Sequence, residues 1–266
     1  MLRIHYIIQP QVRKTGVVSI CYAIFLLFFT INVFAKSPKT LMVILHIEPP
    51  YSDIVDGKFI GENVDIARAL AAQMGKEIEF LYCPVARCMS MIKSGQADII
   101  VGVRKTALRE ESLGFLTSPI KIQALPLRFY LHANNNFSIN NYDDLYSLKV
   151  GYLRGATYFD KFDFDKKITK VPLTNYHQLV DMLLKNRIDT FIEREESIIP
   201  IIKKSFHADN IKLAKFSYDK GVKSYIAVSK NSAFIDELAE LSQALEVLLE
   251  NGEIKKILDK TRTTVN

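Results

Sequence analysis

Two arginines and a threonine follow an apolar run near the middle of the chain. The segment "GVRKTALRE" (102–110) comes directly after "ADIIV" and contains Arg104, Thr106 and Arg109. In open α/β sheets, ligands bind beyond the carboxyl ends of the strands, where loops and helix starts converge. Arg109 carries a planar, two-pronged donor that suits a carboxylate, and Thr106 is placed to cap the short helix that holds Arg109. The pattern predicts a carboxylate clamp; alternatively, both arginines are solvated or paired with the two glutamates that follow.

A second strand, glycine turn and helix start occurs later in the chain. The stretch "VGYLRGATYFDKF" (150–162) contains Gly155 and Thr157 at the turn. Gly155 would let backbone donors approach a bound group closely, and Thr157 would cap the helix. The alternative is an ordinary strand-to-helix turn. One such site in each half of the chain favours a ligand that is held from two sides.

Apolar runs of strand length alternate with helical patterns, as in parallel sheets covered by helices. Strands are predicted at residues 41–47, 77–82, 97–103, 148–153 and 188–193, and helices at 62–75, 85–95 and 174–187. Hydrophobic residues make up 48% of the chain and charged residues 24%, which is typical of a globular protein. The sequence therefore predicts an α/β fold.

The strand and helix pattern occurs twice, which predicts two lobes of similar build. "MIKSGQADII" and "MLLKNRIDTF" each join a helix end, a polar turn and an Asp to an apolar strand. The extended segments 121–133 and 223–230 could carry the chain from one lobe to the other and back. We expect a discontinuous first lobe (36–125 and 225–266), a continuous second lobe (126–224), and a cleft beside a two-strand hinge.

The first 35 residues differ in kind from the rest of the chain. Three basic residues precede the charge-free apolar stretch 16–35, which ends in Val33 and Ala35 at the spacing of a signal-peptidase site. We expect residues 1–35 to be a cleaved secretory signal and the mature protein to be periplasmic. The alternative is an uncleaved anchor, because the apolar stretch is just long enough to cross a bilayer.

The charge and the histidines argue against several classes of function. Removing residues 1–35 takes three basic residues and no acid, so the formal charge falls from +6 to +3. This is too mild to indicate a nucleic-acid-binding protein. The five histidines show no paired spacing that would suit a metal. We therefore expect no metal site, no cofactor and no nucleic-acid partner.

Two cysteines remain once the expected signal is removed. Cys83 and Cys88 form an even pair in an oxidising compartment, which predicts a disulfide. Their loop is short, so its main role would be to fix the turn "CPVARC". The alternative is two buried thiols.

Nine segments occur in an order that resembles one protein family. They are "EPPY" (48–51), "GENVDIARALAAQMG" (61–75), "IKSGQADIIVG" (92–102), "TALR" (106–109), "FLTSP" (115–119), "LKVGYLRGATY" (148–158), "NRIDTFI" (186–192), "YIAVSK" (225–230) and "NGEIKKI" (251–257). In this order they resemble the bacterial periplasmic solute-binding proteins of family 3, the polar amino-acid type. The resemblance covers nearly all of the chain after residue 35.

The resemblance implies a periplasmic-binding-protein-like clamshell of type II, with two lobes that are each a sheet flanked by helices. It further implies that Arg109 binds the carboxylate of a ligand, helped by Thr106. Gly155 and Thr157 would add donors from the other lobe. The protein would be a monomer that delivers its ligand to an ABC permease in the inner membrane.

The chain departs from the family where a ligand's amino group is usually held. An Asp is common there, whereas this chain has Arg194 at that position, with Glu193 beside it. Arg104 lies where small hydroxyl residues are common. These two arginines would favour a further anionic group on the ligand, whereas the glutamate would favour a cation.

The chain also departs from the family at the aromatic walls of its site. Glu48 occupies a position where many members carry a stacking ring, which leaves Tyr51 as the nearest one. Val85 lies near the position of the second wall aromatic. Glu48, like Glu193, could hold a cation.

Three functions are consistent with these residues. The first is binding of a small carboxylate-bearing solute, such as an amino acid, for ABC-type import. The second is an enzyme on the same fold, a dehydratase of prephenate-like substrates in which Glu193 or Glu48 donates a proton. The third is a periplasmic sensor that reports its ligand to a separate membrane protein. We expect the first, and therefore no catalytic residues.

Overall fold

Short apolar runs form the strands at the centre of the fold. A computed structural model describes residues 40–123, 126–204 and 208–265. The signal expected at residues 1–35 lies outside the described residues. In chain order the strands are β1 (Leu41–Leu45), β2 (Asp53–Val55), β3 (Lys58–Ile60), β4 (Ile78–Tyr82), β5 (Ile99–Arg104), β6 (Leu113–Phe115), β7 (Lys121–Gln123), β8 (Leu127–His132), β9 (Lys149–Leu153), β10 (Thr169–Leu173), β11 (Thr190–Arg194), β12 (Ile211–Tyr218) and β13 (Val222–Ser229).

The helices follow the amphipathic segments of the sequence. They are α1 (Glu62–Gln73), α2 (Val85–Lys93), α3 (Ala107–Glu110), α4 (Asp160–Phe164), α5 (Tyr176–Leu184), α6 (Glu195–Lys204), α7 (Leu238–Glu250) and α8 (Glu253–Val265). Helix α1 has acids in its first turn, where they suit the helix dipole. Among the described residues, no helix has both the length and the hydropathy that a bilayer crossing requires.

The first sheet has the order β4-β1-β5-β13-β6, and β7 also pairs with β13. Side chains of β1 alternate between its two faces. Val43 and Leu45 pack in one cluster with α1, α7 and α8, whereas Ile44 packs in another with α2. We call this sheet with those helices and α3 lobe 1.

The second sheet has the order β10-β9-β11-β8-β12. Every residue of β11 is buried, as expected of a central strand covered on both faces. Phe191 packs with α5 and α6, and its neighbour Ile192 packs with Phe162 of α4. We call this sheet with its helices lobe 2.

Both sheets are mixed rather than parallel. Strands β4 and β5 run parallel to β1, and β9 runs parallel to β10 and β11, as the alternating sequence pattern predicts. However, β13 is antiparallel to β5, and β8 is antiparallel to β11. The cause is that β8 and β13 each follow a segment that crosses from the other lobe, so they enter their sheets in the opposite direction. The lobe boundaries expected from the sequence remain a proposal.

Candidate functional site

A cavity lies where the carboxyl ends of strands from both lobes face each other. Its lining includes Glu48, Arg104 and Arg109 from lobe 1, and Thr157 and Glu193 from lobe 2. The cavity volume is about 80 Å³. This is several times the space that one water needs, so the cavity can hold a small polar group.

Arg109 is held in the cavity wall by its own helix start. The Thr106 side chain accepts a hydrogen bond from the Arg109 backbone N–H at 3.3 Å, which confirms Thr106 as the N-cap of α3. The Arg109 side chain is only 7% exposed. Its guanidinium donates to the backbone carbonyls of Arg104 (2.9 Å) and Gly155 (3.2 Å).

No carboxylate of the described part of the chain lies within 4.0 Å of the Arg109 guanidinium. Burial, followed by the charge of Arg104, lowers the pKa of Arg109 to about 10. A buried cation is costly unless it meets an anion. The guanidinium is therefore suited to an anionic group that enters the cavity.

Gly155 brings the two lobes into contact. Its φ is +86°, and a Cβ at this position would lie 2.8 Å from the Cα of Ala86 in α2. Only glycine fits such a conformation and such a close approach without strain. Gly155 does not line the cavity, and its carbonyl accepts the hydrogen bond from Arg109.

Thr157 lines the cavity, but it is not a helix cap. Helix α4 begins at Asp160, and its N-cap, Phe159, makes no side-chain cap hydrogen bond. The predicted capping role of Thr157 is therefore wrong. The Asp163 carboxylate instead accepts from the Tyr158 backbone N–H at 3.0 Å, so the chain remains extended through Phe159 before the helix begins.

Arg104 spans the cleft between the lobes. Its guanidinium donates to Asp160 at 2.7 Å, to Asp163 at 3.2 Å and to the Tyr158 carbonyl at 3.2 Å. Gly102 lies two residues before Arg104 in β5. It has a φ of +86° and forms a bulge, because no residue of β13 pairs with it. Bulges of this kind bend a strand and redirect the side chains that follow. The charge of Arg104 is thus neutralised by lobe 2.

Two buried carboxylates line the cavity from opposite lobes. Glu48 accepts hydrogen bonds from His46 at 2.9 Å and from the Ser197 hydroxyl at 3.1 Å. Burial alone would raise the pKa of Glu48, but the hydrogen bond and charge of His46, with the charge of Lys121, hold it below its ordinary value.

Glu193 has a different environment, although it is also only 5% exposed. It accepts a hydrogen bond from the Arg194 backbone N–H at 2.9 Å, and the Tyr158 hydroxyl lies 3.5 Å away. Burial, and then repulsion from Glu48, raises the pKa of Glu193 to about 8. The pair therefore carries about one negative charge near neutral pH and would accept a cation.

The remaining predicted site residues lie in or beside the cavity. Arg194 lines it and is 6% exposed. Tyr51 does not line it, because its hydroxyl donates to Glu196 of lobe 2 at 2.6 Å and its ring lies 3.4 Å from the Lys121 ammonium. The ligand contacts of all these residues remain a prediction.

Among the residues that line the cavity, sequence reasoning missed three with polar side chains, His46, Tyr158 and Tyr176, besides several apolar ones. The position of each residue in the chain could have identified it. His46 follows β1, Tyr158 follows the turn after β9, and Tyr176 opens α5 just after β10. All three thus lie at the carboxyl ends of parallel strands, where ligand-binding residues are expected.

The predicted disulfide between Cys83 and Cys88 is present, and it cross-links the turn before α2 to the helix itself. Cys88 lines the cavity. Among the described residues, no group of three or more His, Cys, Asp or Glu side chains could hold a metal ion.

Comparison with known proteins identifies the family. The family model of bacterial extracellular solute-binding proteins, family 3, matches residues 41–262. An arginine-binding periplasmic protein from Mannheimia haemolytica is 25% identical over 220 residues, which cover 80% of this chain and 86% of that protein. These proteins are binding proteins rather than enzymes.

Solved structures agree on the fold. An ancestral arginine-binding protein bound to arginine has a TM-score of 0.70 at 24% identity, and the match covers 83% of this chain and 97% of that chain. A Salmonella typhimurium periplasmic binding protein with high arginine specificity has a TM-score of 0.69 at 21% identity, with 84% and 98% covered. The chain therefore belongs to the bacterial extracellular solute-binding proteins, family 3, and has their two-lobe, type II periplasmic-binding-protein fold.

Proposed function

We propose that this protein binds a small, carboxylate-bearing solute such as an amino acid and delivers it to an ABC permease. The observation that carries the proposal is the buried Arg109 guanidinium, which lines an inter-lobe cavity and meets only backbone carbonyls among the described residues. A ligand carboxylate would supply the missing anion. Charge-assisted hydrogen bonds of this kind contribute about 1.5–3 kcal/mol each.

The solute also carries a cationic group in this proposal. Asp160 and Asp163 neutralise the charge of Arg104, so this residue does not require a second anionic group on the ligand. Glu48 and Glu193 line the same cavity as Arg109 and would accept an ammonium. The arginine-binding periplasmic protein of Mannheimia haemolytica supports a zwitterionic ligand.

Export supports the same function. The charge-free stretch at 16–35 favours a secretory signal, and the disulfide is typical of an oxidising compartment. We propose that the signal is cleaved and that the mature protein acts in the periplasm as a monomer, with no cofactor.

Thermal unfolding of residues 36–266 against a panel of amino acids, di-acids and polyamines tests the proposal. A ligand that binds only the native state raises the melting temperature. We expect the zwitterions to do so, and Arg109→Ala to weaken binding by about thirtyfold or more. Arg187→Ala, at an exposed residue in the turn after α5, is the matched control. Equal affinity in wild type and Arg109→Ala would refute the proposal.

A second candidate function is a dehydratase of prephenate-like substrates. The observation that favours it is the buried Glu193, whose raised pKa keeps it protonated near neutral pH, as a general acid requires. Incubation of the purified protein with prephenate tests it. Formation of phenylpyruvate that is lost in Glu193→Gln would support this activity, and no product would exclude it.

A further inference from the structure

A second cavity lies beside the first one. Its volume is about 270 Å³, compared with about 80 Å³ for the cavity that contains Arg109. Four residues line both cavities: His46, Val85, Leu153 and Tyr176. The two cavities are therefore neighbours that share one wall.

The chemistry of the second cavity differs from that of the first. Ile47, Tyr82, Pro84 and Ile201 give it an apolar and aromatic lining. None of the described residues that line it carries a carboxylate, an ammonium or a guanidinium. A charged group inside it would lose its hydration without gaining a counter-ion, which is costly. An uncharged group would instead gain from the burial of its apolar surface.

The sizes of the two cavities indicate that the smaller part of a ligand would lie in the first cavity and the larger part in the second. The cavity that contains Arg109 has less than a third of the volume of the second cavity, so it has room for a small charged group but not for a large side chain. Pockets that bind small molecules usually have volumes of about 300–1,000 Å³. Only both cavities together reach the lower end of that range.

We propose that the second cavity is a subsite for an uncharged apolar or aromatic arm of the solute whose carboxylate binds Arg109. This inference rests on the proposed function and specifies its ligand class, amino acids with a large uncharged side chain. Both lobes supply walls to the subsite, Tyr82 from lobe 1 and His177 from lobe 2. Lobe closure that buries the carboxylate therefore also encloses the arm.

Titration calorimetry with four amino acids tests the subsite. The probes are L-alanine, L-leucine, L-phenylalanine and L-arginine. We expect L-phenylalanine and L-leucine to bind at least tenfold more tightly than L-alanine. L-Arginine should bind more weakly than L-phenylalanine, because its arm is charged.

Two variants separate the subsite from the anion site. Tyr82 is 49% exposed, so Tyr82→Ala removes a wall of the subsite without disturbing the core. Thr174→Trp, at another exposed lining residue, fills the subsite. Both substitutions should weaken the binding of L-phenylalanine about three- to tenfold and leave the affinity for L-alanine unchanged. Phe164→Ala is the control, since Phe164 is 72% exposed and lines neither cavity.

The outcomes distinguish this inference from the function on which it rests. If L-alanine or L-arginine binds as tightly as L-phenylalanine, or if Tyr82→Ala weakens all ligands equally, the subsite is refuted. Binding that still depends on Arg109 would leave the proposed function intact in that case. If none of the four probes binds, the subsite is refuted for amino acids, and the wider panel then decides the function.

Discussion

Arg104 at the end of β5 donates a hydrogen bond across the cleft to Asp163 of α4, with a separation of 3.2 Å. Asp160 adds a shorter contact to the same guanidinium. These two acids belong to lobe 2, whereas Arg104 belongs to lobe 1. The contact therefore exists only while the lobes are together, and it stabilises the closed arrangement.

Loss of this contact should weaken ligand binding without unfolding the protein. We expect Arg104→Gln to reduce affinity about three- to tenfold, since a partly exposed ion pair contributes on the order of 1 kcal/mol. Small-angle scattering should show a larger ligand-free radius of gyration. The control is Lys105→Gln, because Lys105 pairs with Glu110 within lobe 1. An unchanged affinity and radius in Arg104→Gln would contradict this role.

Glu193 should make the ligand-free protein less stable as the pH rises. Its folded pKa of about 8 lies above the ordinary value of 4.5, so the folded state binds the proton more tightly than the unfolded state. The stabilising contribution is complete below about pH 4.5 and is lost as the pH rises to 8. Urea unfolding at pH 5 and pH 8 should show a smaller loss of stability in Glu193→Gln than in wild type. Equal losses would argue against the raised pKa.

Binding of an amino-containing solute should release a proton. An ammonium beside Glu193 would lower the pKa of that carboxyl, so a group protonated at pH 7 would ionise on binding. Calorimetry at pH 7 in buffers of different ionisation enthalpy should report close to one proton released by wild type. Glu193→Gln should release almost none. Equal proton release by wild type and Glu193→Gln would show that another group loses the proton.

Gly155→Ala should affect closure more than stability. Both Gly155 and Gly57 have positive φ, but only Gly155 has a neighbour at its Cβ position, the Cα of Ala86 at 2.8 Å. Gly57→Ala is therefore the matched control, with backbone strain of about 1 kcal/mol and no inter-lobe clash. We expect only Gly155→Ala to weaken ligand binding, by tenfold or more in calorimetry. Similar affinities of the two variants would show that the contact with Ala86 does not matter.

The sequence predicted local structure better than contacts between the lobes. The five predicted strands, the three predicted helices and the Thr106 cap follow from patterns within about 15 residues, and the structure contains them, whereas β10, β12 and α6 were not predicted. The partners of Arg104 lie 56 and 59 residues away in the other lobe, and no local pattern identifies them. The expected cap at Thr157 failed for a different, local reason, because the Asp163 carboxylate five residues along the chain accepts from the Tyr158 backbone N–H and the helix begins only at Asp160.

The disulfide has a consequence for where the walls of the two cavities gain their covalent support. Cys88 lines the cavity that contains Arg109, and Cys83 lines its larger neighbour, so one cross-link supports both walls. Thiols remain reduced in the cytosol and are oxidised in the periplasm. In the exported protein that we propose, the cross-link would form only outside the cytosol, so both walls would gain this support in the compartment where the solute is captured.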